Sequence, residues 1–230
     1  MQSETGRPAG EPAPRYEIHE LLGVGGRGQV YRSRDVVLDR WVALKLLRGG
    51  DDDVQERLLR EARAQARVDH PNVCRVFEAG ELDGKPFIAM QLVEGEPIDR
   101  ATAELGLRER IDLLRRVTEA VQAAHSQGLV HRDLKPGNVL VERRGDRPEP
   151  FVVDFGLAVE PEAPGLTATG TVLGTPGYMA PEQITGDRSS IDRRTDVYAL
   201  GALLYRVLAG RDPYEADNPV EALMAAVRSD

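Results

Sequence analysis

Only three of the 30 basic residues in this 230-residue chain are lysines: Lys45, Lys85 and Lys135. Everywhere else the cation is arginine, a planar fork rather than a compact point charge. A lysine kept against that bias is a candidate for chemistry that needs an ammonium group. A second candidate is the stretch "LLGVGGRGQVYRSRD", where Gly23, Gly25 and Gly28 have the G-x-G-x-x-G spacing. Such glycines let backbone N–H groups approach a phosphate with no Cβ in the way. Two unrelated devices share the spacing. In one, the glycines join a strand to a helix whose N-terminus holds a pyrophosphate. In the other, they form the bend of a β-hairpin laid over a nucleotide. Any turn also favours glycine, so the spacing alone does not choose.

The neighbouring elements do choose. Residues 1–15 form a Pro/Gly/Glu-rich arm that reads as disordered. Then "YEIHELLGV" and "GQVYRSRD" read as two strands joined by the glycines, and "RWVALKLLR" as a third that carries Lys45. A strand pattern, not a helix, follows Gly28, so the dinucleotide reading loses most of its weight. The aspartates of "GGDDD" suit a helix start, and "VQERLLREARAQARV" reads as that helix. Val54, Leu58, Ala62 and Ala66 recur there at spacing four, with Leu59 alongside. "NVCRVFEAGEL", a turn at Asp83-Gly84, and "PFIAMQLV" read as a second hairpin.

From Glu94 the character becomes helical. Residues 107–127 read as a long amphipathic helix with Ile111, Leu114, Val117, Val121 and Ala124 on one face, ended by Gly128. Strand-like "NVLVE" and "FVVDF" follow, then a long Gly/Pro/Thr-rich segment at 157–181, and helices at 192–209 and 218–228. Strands with one helix and then mostly helices predict an α+β chain in two lobes.

Composition narrows the function classes. A formal charge of -8 argues against a broad nucleic-acid-binding surface. No apolar run approaches the ~20 residues of a membrane span, and the N-terminus lacks a basic-then-apolar leader pattern. Cys74 is the sole cysteine, which excludes an intrachain disulfide or a cysteine-based zinc site. A reducing, cytoplasmic setting is the default expectation.

"HRDLKPGN" stands at 131–138, "DFG" at 154–156 and "APE" at 180–182. With Gly23, Gly25, Gly28, Val30 and the "VALK" ending in Lys45, they follow one chain order. In that order the chain resembles a eukaryotic-like (Hanks-type) serine/threonine protein kinase. "GVGGRGQVY" and "TATGTVLGTPGYMAPEQ" look most like the bacterial branch. The resemblance covers about residues 16 to 228, and implies a small β-rich lobe at 16–92 and a larger helical lobe at 93–230.

The resemblance implies ATP and Mg²⁺ as cofactors, with Mn²⁺ as an alternative. Leu22, Gly23, Val24, Gly25, Gly26, Arg27, Gly28, Gln29 and Val30 would cover the nucleotide. Lys45 would contact the α- and β-phosphates and be fixed by Glu61 on the next helix. Met90 would control the back of the adenine pocket. Gln91 to Val93 would be the hinge whose backbone bonds adenine, with Val30, Ala43 and Leu140 sandwiching the ring. Each apolar member also suits an ordinary core position. Asn138 and Asp154 supply an amide oxygen and a carboxylate, the hard donors magnesium takes. Asp133 would orient the substrate hydroxyl and accept its proton, and Lys135 would neutralise charge on the γ-phosphate. Lys135 is typical of serine/threonine rather than tyrosine kinases, and Thr175 would bond to Asp133 and Lys135. His131 would pack beneath Phe155 and Gly156, and Asp196 and Glu182 would serve structure.

Arg132 would pair with a phosphorylated threonine among Thr167, Thr169 and Thr171, with Thr167 and Thr169 favoured, because a phosphate adds about -1.5 to -2 charges there. Autophosphorylation is the implied regulation, a homodimer is one arrangement for it, and proteins are the implied substrates. Three departures stand out. Arg27 replaces an aromatic at the loop tip and is expected to point to water. Gln65 is polar where the family places an apolar residue. The family's helices beyond 218–228, which supply an arginine partner for Glu182, are not in this sequence, so the helical lobe reads as incomplete. Two rival functions remain: a truncated pseudokinase or scaffold that binds nucleotide or partners, and a small-molecule phosphotransferase. "GTPGYMAPE", a platform for a peptide, argues against the latter.

Overall fold

The computed structural model describes residues 14–25, 28–47, 52–82, 84–145, 147–155, 176–185 and 188–214. A five-stranded antiparallel sheet opens the chain. It comprises β1 (Tyr16–Gly25), β2 (Gly28–Asp35), β3 (Arg40–Leu47), β4 (Val76–Leu82) and β5 (Lys85–Gln91), in the order β1-β2-β3-β5-β4. The β1–β2 hairpin closes on the pair Gly25–Gly28. A side chain at Gly28 is excluded by β3, since a Cβ there would lie 2.1 Å from the Leu46 carbonyl oxygen. Gly84, at φ +72, turns β4 into β5.

Helix α1 (Asp52–Gln65) crosses one face of this sheet. Its Ala62 is fully buried with Ala43, Leu47, Cys74, Ile88 and Met90. The other face buries Tyr16 against Phe87, with Val42, Leu44 and Ala89. The spacing-four stripe does not extend to Ala66, because the helix ends at Gln65 and Ala66 is exposed.

The rest of the described chain is mostly helical. Short β6 (Glu96–Pro97) leads into α2 (Ile98–Ala101) and the long α3 (Leu107–Ser126). A hairpin follows, β7 (Val139–Arg144) and β8 (Arg147–Val152), and forms a three-stranded sheet with β6. Helices α4 (Pro181–Thr185) and α5 (Arg193–Ala209) complete it. Helix α5 starts at Asp192, whose carboxylate accepts the Arg194 N–H, and ends at left-handed Gly210.

Helix α3 buries Leu113, Leu114, Val117, Ala120, Val121 and Ala124 against α5 residues Ala199, Leu203 and Val207. Ile111 is not on this face; half of it is exposed. At about 100° per residue, the six residues from Ile111 to Val117 leave it about 120° away from the stripe's centre. Leu113 and Ala120 take the buried positions instead. The helical core joins the sheet lobe through the segment after α1. Asn72 and Cys74 exchange backbone hydrogen bonds with Val152 at 2.8 and 2.9 Å, and the Asn72 side chain donates to the Pro150 carbonyl at 2.8 Å. Among the described residues, no helix is long and apolar enough to cross a membrane.

Candidate active site

The loop between α3 and β7 carries most of the candidate site residues, and α5 holds it. Asp196, in the first turn of α5, is fully buried. Its carboxylate accepts the backbone N–H groups of His131 and Arg132, each at 2.8 Å, and faces His125 Nε2 at 2.7 Å. Burial alone would raise this carboxyl. The bonds from His125 and from the two backbone N–H groups outweigh burial and hold it below the ordinary carboxylate value.

His131 is fully buried, with its ring 4.7 Å from that of Phe155. Its Nδ1 accepts the Asp133 N–H at 3.3 Å, so Nε2 carries the proton toward the Val153 carbonyl at 2.9 Å. Both nitrogens are committed to the backbone, leaving the imidazole a packing and positioning role.

Asp133, Lys135 and Asn138 converge. Lys135 Nζ lies 3.1 and 2.9 Å from the two oxygens of Asp133. The Asn138 amide NH₂ donates to the Asp133 carbonyl at 2.7 Å and to its carboxylate at 3.1 Å. That use of the nitrogen leaves the amide oxygen as the donor a cation could take. The Asn138 backbone carbonyl accepts the Val153 N–H at 3.0 Å, which brings the residue before Asp154 alongside it. Among the described residues no three His, Cys, Asp or Glu side chains form a closed metal cage. The oxygens of Asp154 and Asn138 fit a hard cation that keeps water and phosphate oxygens in its shell.

Lys45 reaches this group from β3. Its Nζ is 2.7 Å from Asp154 Oδ2. The expected partner was Glu61, and here the structure differs: Glu61 Oε1 takes Arg132 Nη1 at 3.2 Å. The physical reason is competition between two cations and two carboxylates. Buried Lys45 needs a counter-charge and finds Asp154, while Arg132 extends to Glu61 on α1. Arg132 and Asp154 both have left-handed backbones, at φ +65 and +61. For residues bearing a Cβ that conformation costs about 1–2 kcal/mol, and strain of this kind gathers at functional sites.

The glycines divide by role. Gly28 is required by packing. At Gly23 and Gly25 a Cβ would meet nothing within 4 Å, so no packing demands glycine there and the space lies open. Leu22 and Val24 are exposed on the same strand, and Gln29 pairs with Val24 across the hairpin. Val30 lies opposite Lys45, and Ala43 opposite Met90. These two pairs put Val30, Ala43, Lys45 and Met90 side by side, and Val93 joins their apolar cluster. Gln91 spends its N–H on the Arg75 carbonyl at 2.8 Å. Leu140 is half-buried on β7, opposite Pro97 and Phe151.

Gln65 is fully enclosed, and its side-chain nitrogen donates to the Cys74 carbonyl at 3.0 Å, so the polar departure is satisfied. Glu182 accepts the Thr195 hydroxyl at 2.6 Å, a tie to α5 that the sequence did not signal. Gln183 is likewise missed: a glutamine after "APE" carries no distinguishing pattern, yet its side chain meets the Arg132 carbonyl at 2.7 Å. Gly26, Arg27, Gly156, Thr167, Thr169, Thr171, Thr175 and the helix expected at 218–228 lie outside the described residues.

Comparison with known proteins identifies the family and the fold. A family model described as protein kinase domain matches residues 16–229. Serine/threonine-protein kinase pkn3 of Myxococcus xanthus is 40% identical over 220 residues, covering 90% of this chain and 40% of that protein. The DNA damage-responsive serine/threonine-protein kinase RqkA of Deinococcus radiodurans is 43% identical over 219 residues, covering 92% and 32%. The chain thus spans well under half the length of these two relatives. The crystal structure of the PknI kinase domain from Mycobacterium tuberculosis superposes with a TM-score of 0.69 at 30% identity. It covers 89% of this chain and 76% of that one.

Proposed function

This chain belongs to the protein kinase family, and from that premise we propose that it transfers the γ-phosphoryl of ATP to serine and threonine hydroxyls of proteins. The observation that carries the proposal is the convergence of Lys135 and Asn138 on Asp133, each with polar atoms within 3.1 Å of it. Lobes at 16–92 and 93–230 would close on the nucleotide between them.

The adenine ring would lie between Val30 and Ala43 above and Leu140 below, with Met90 behind and backbone of Gln91 to Val93 at its edge. Gly23 and Gly25 leave room for backbone N–H groups to meet the phosphates. Lys45 would hold the α- and β-phosphates, and Asp154 and Asn138 a divalent cation that neutralises the triphosphate and orients its terminal group. Asp133 orients the incoming hydroxyl and accepts its proton as the oxygen attacks the γ-phosphorus and the β–γ bridging bond breaks. Lys135, beside it, screens the charge on the transferred group. The transition state is loose, so positioning and electrostatics supply most of the rate. ATP as donor fits a cytoplasmic site of action.

Arg132 is the proposed donor to the phosphate of a phosphorylated Thr167, Thr169 or Thr171, formed by a second copy. Capture of Arg132 by phosphate would release Glu61 to turn toward Lys45. The test is labelled transfer from ATP with Mg²⁺ to the chain itself and to generic protein substrates, followed by phosphoamino-acid analysis. Label on serine and threonine is expected. Label on tyrosine alone, or on small molecules alone, would overturn the assignment.

A further inference from the structure

Gln183, in the short helix α4, bridges two segments. Its Nε2 donates to the Arg132 carbonyl at 2.7 Å, and its Oε1 accepts the Ala180 N–H at 3.1 Å. The partners fix the orientation of the amide, since a carbonyl can be met only by the NH₂ and an N–H only by the oxygen.

The Arg132 carbonyl and the Asp133 N–H are two halves of one peptide group. His131 Nδ1 holds the N–H side at 3.3 Å, and Gln183 holds the oxygen side. Asp196 secures the preceding peptide through the Arg132 N–H. Between these anchors Arg132 keeps its left-handed backbone at φ +65. Such a conformation persists only where the surroundings over-determine it. Among the described residues, Gln183 supplies the hydrogen bond to that carbonyl.

We infer that Gln183 is a positioning residue: it sets the plane of the Arg132–Asp133 peptide, and through it the place of the Asp133 carboxylate. Its second bond, to the Ala180 N–H, ties that peptide to the start of the "APE" segment, so the loop and that segment are set together. The inference rests on the role proposed above for Asp133. A misplacement of about 1 Å at a reacting group lowers a rate by roughly 10²-fold, so loss of the clamp is expected to cost between about tenfold and a hundredfold in kcat.

Gln183→Met keeps the length of the side chain and removes both hydrogen bonds. It is expected to lower kcat by at least about tenfold, with the KM for ATP within about twofold and the melting temperature near that of the native chain. Gln183→Glu still accepts from Ala180 but turns an acceptor toward the Arg132 carbonyl, so it should lose at least as much. An unchanged kcat in both variants, or a loss that only tracks a fall in melting temperature, would overturn the inference. Hydrogen exchange at the Ala180 and Asp133 amides, measured on the same proteins, separates the two levels. If the native chain transfers no phosphate, the activity reading fails while faster exchange in Gln183→Met still supports the clamp. Unchanged exchange overturns it.

Discussion

Replacing Asp196 removes the anchor under the proposed catalytic loop, and the structure sets the size of the effect. The carboxylate accepts from His125, His131 and Arg132 at 2.7–2.8 Å in a site closed to solvent. Asp196→Ala leaves two backbone N–H groups and an imidazole without their acceptor. An unsatisfied buried donor costs about 1–3 kcal/mol, and the three share one site, so about 3–5 kcal/mol in total is expected. Asp196→Asn keeps one acceptor oxygen and turns an NH₂ toward a donor, for about 2 kcal/mol. Against a typical domain stability of about 5–15 kcal/mol these are large losses. The pH dependence has a definite sign. The folded carboxyl is held below its ordinary value of 3.8, so its contribution is present above that pH and is lost as pH falls through the depressed folded value. Urea unfolding of the native chain and Asp196→Asn at several pH values reads both quantities. The gap should be widest near neutrality and narrow on acidification below the ordinary carboxyl value. A gap under about 1 kcal/mol at neutral pH, or one that widens in acid, would refute the reasoning.

The glycine hairpin gives a paired test. Gly28→Ala drives a methyl into the Leu46 carbonyl and should lower the melting temperature, whereas Gly23→Ala should leave melting unchanged and raise the KM for ATP. Burial raises the Cys74 thiol to about 12, with the Asp154 charge adding to it. A thiol reagent at neutral pH should therefore modify Cys74 only in denaturant, and rapid native labelling would contradict its placement. Phosphopeptide mapping after incubation with Mg-ATP should find phosphate on Thr167, Thr169 or Thr171. An unmodified segment in an active enzyme would remove Arg132 from regulation.

The two-lobed α+β fold was legible in the sequence because the first lobe is built from local signals. The strand pattern on each side of Gly28 and the apolar run around Lys45 need no tertiary information. The long helix was legible too, but its face was displaced: Ile111 fits the apolar spacing and lies about 120° from the stripe that α5 covers. Tertiary packing, not periodicity, chose Leu113 and Ala120. At the site, the motifs placed Asp133, Asn138, Lys45 and Asp154 in chain order, and the fold brings them together. The ion pairs were not legible. Lys45 with Asp154, and Glu61 with Arg132, are a choice among charges within reach, settled by distances across 71 residues of sequence in the second pair. Gln183 and Thr195 stayed hidden for a related reason. Their partners are a loop carbonyl and a carboxylate on other elements, and residue type alone does not reveal such contacts.

The most direct test compares the native chain with Asp133→Asn in two measurements on the same protein: the Kd for Mg-ATP and the single-turnover rate of phosphoryl transfer. Asp133 is assigned to the hydroxyl and not to the nucleotide. The variant should therefore bind Mg-ATP nearly as well as the native chain and transfer about 10²–10⁴-fold more slowly. Equal transfer by both proteins, or a native chain that binds nucleotide and transfers nothing, would contradict the account.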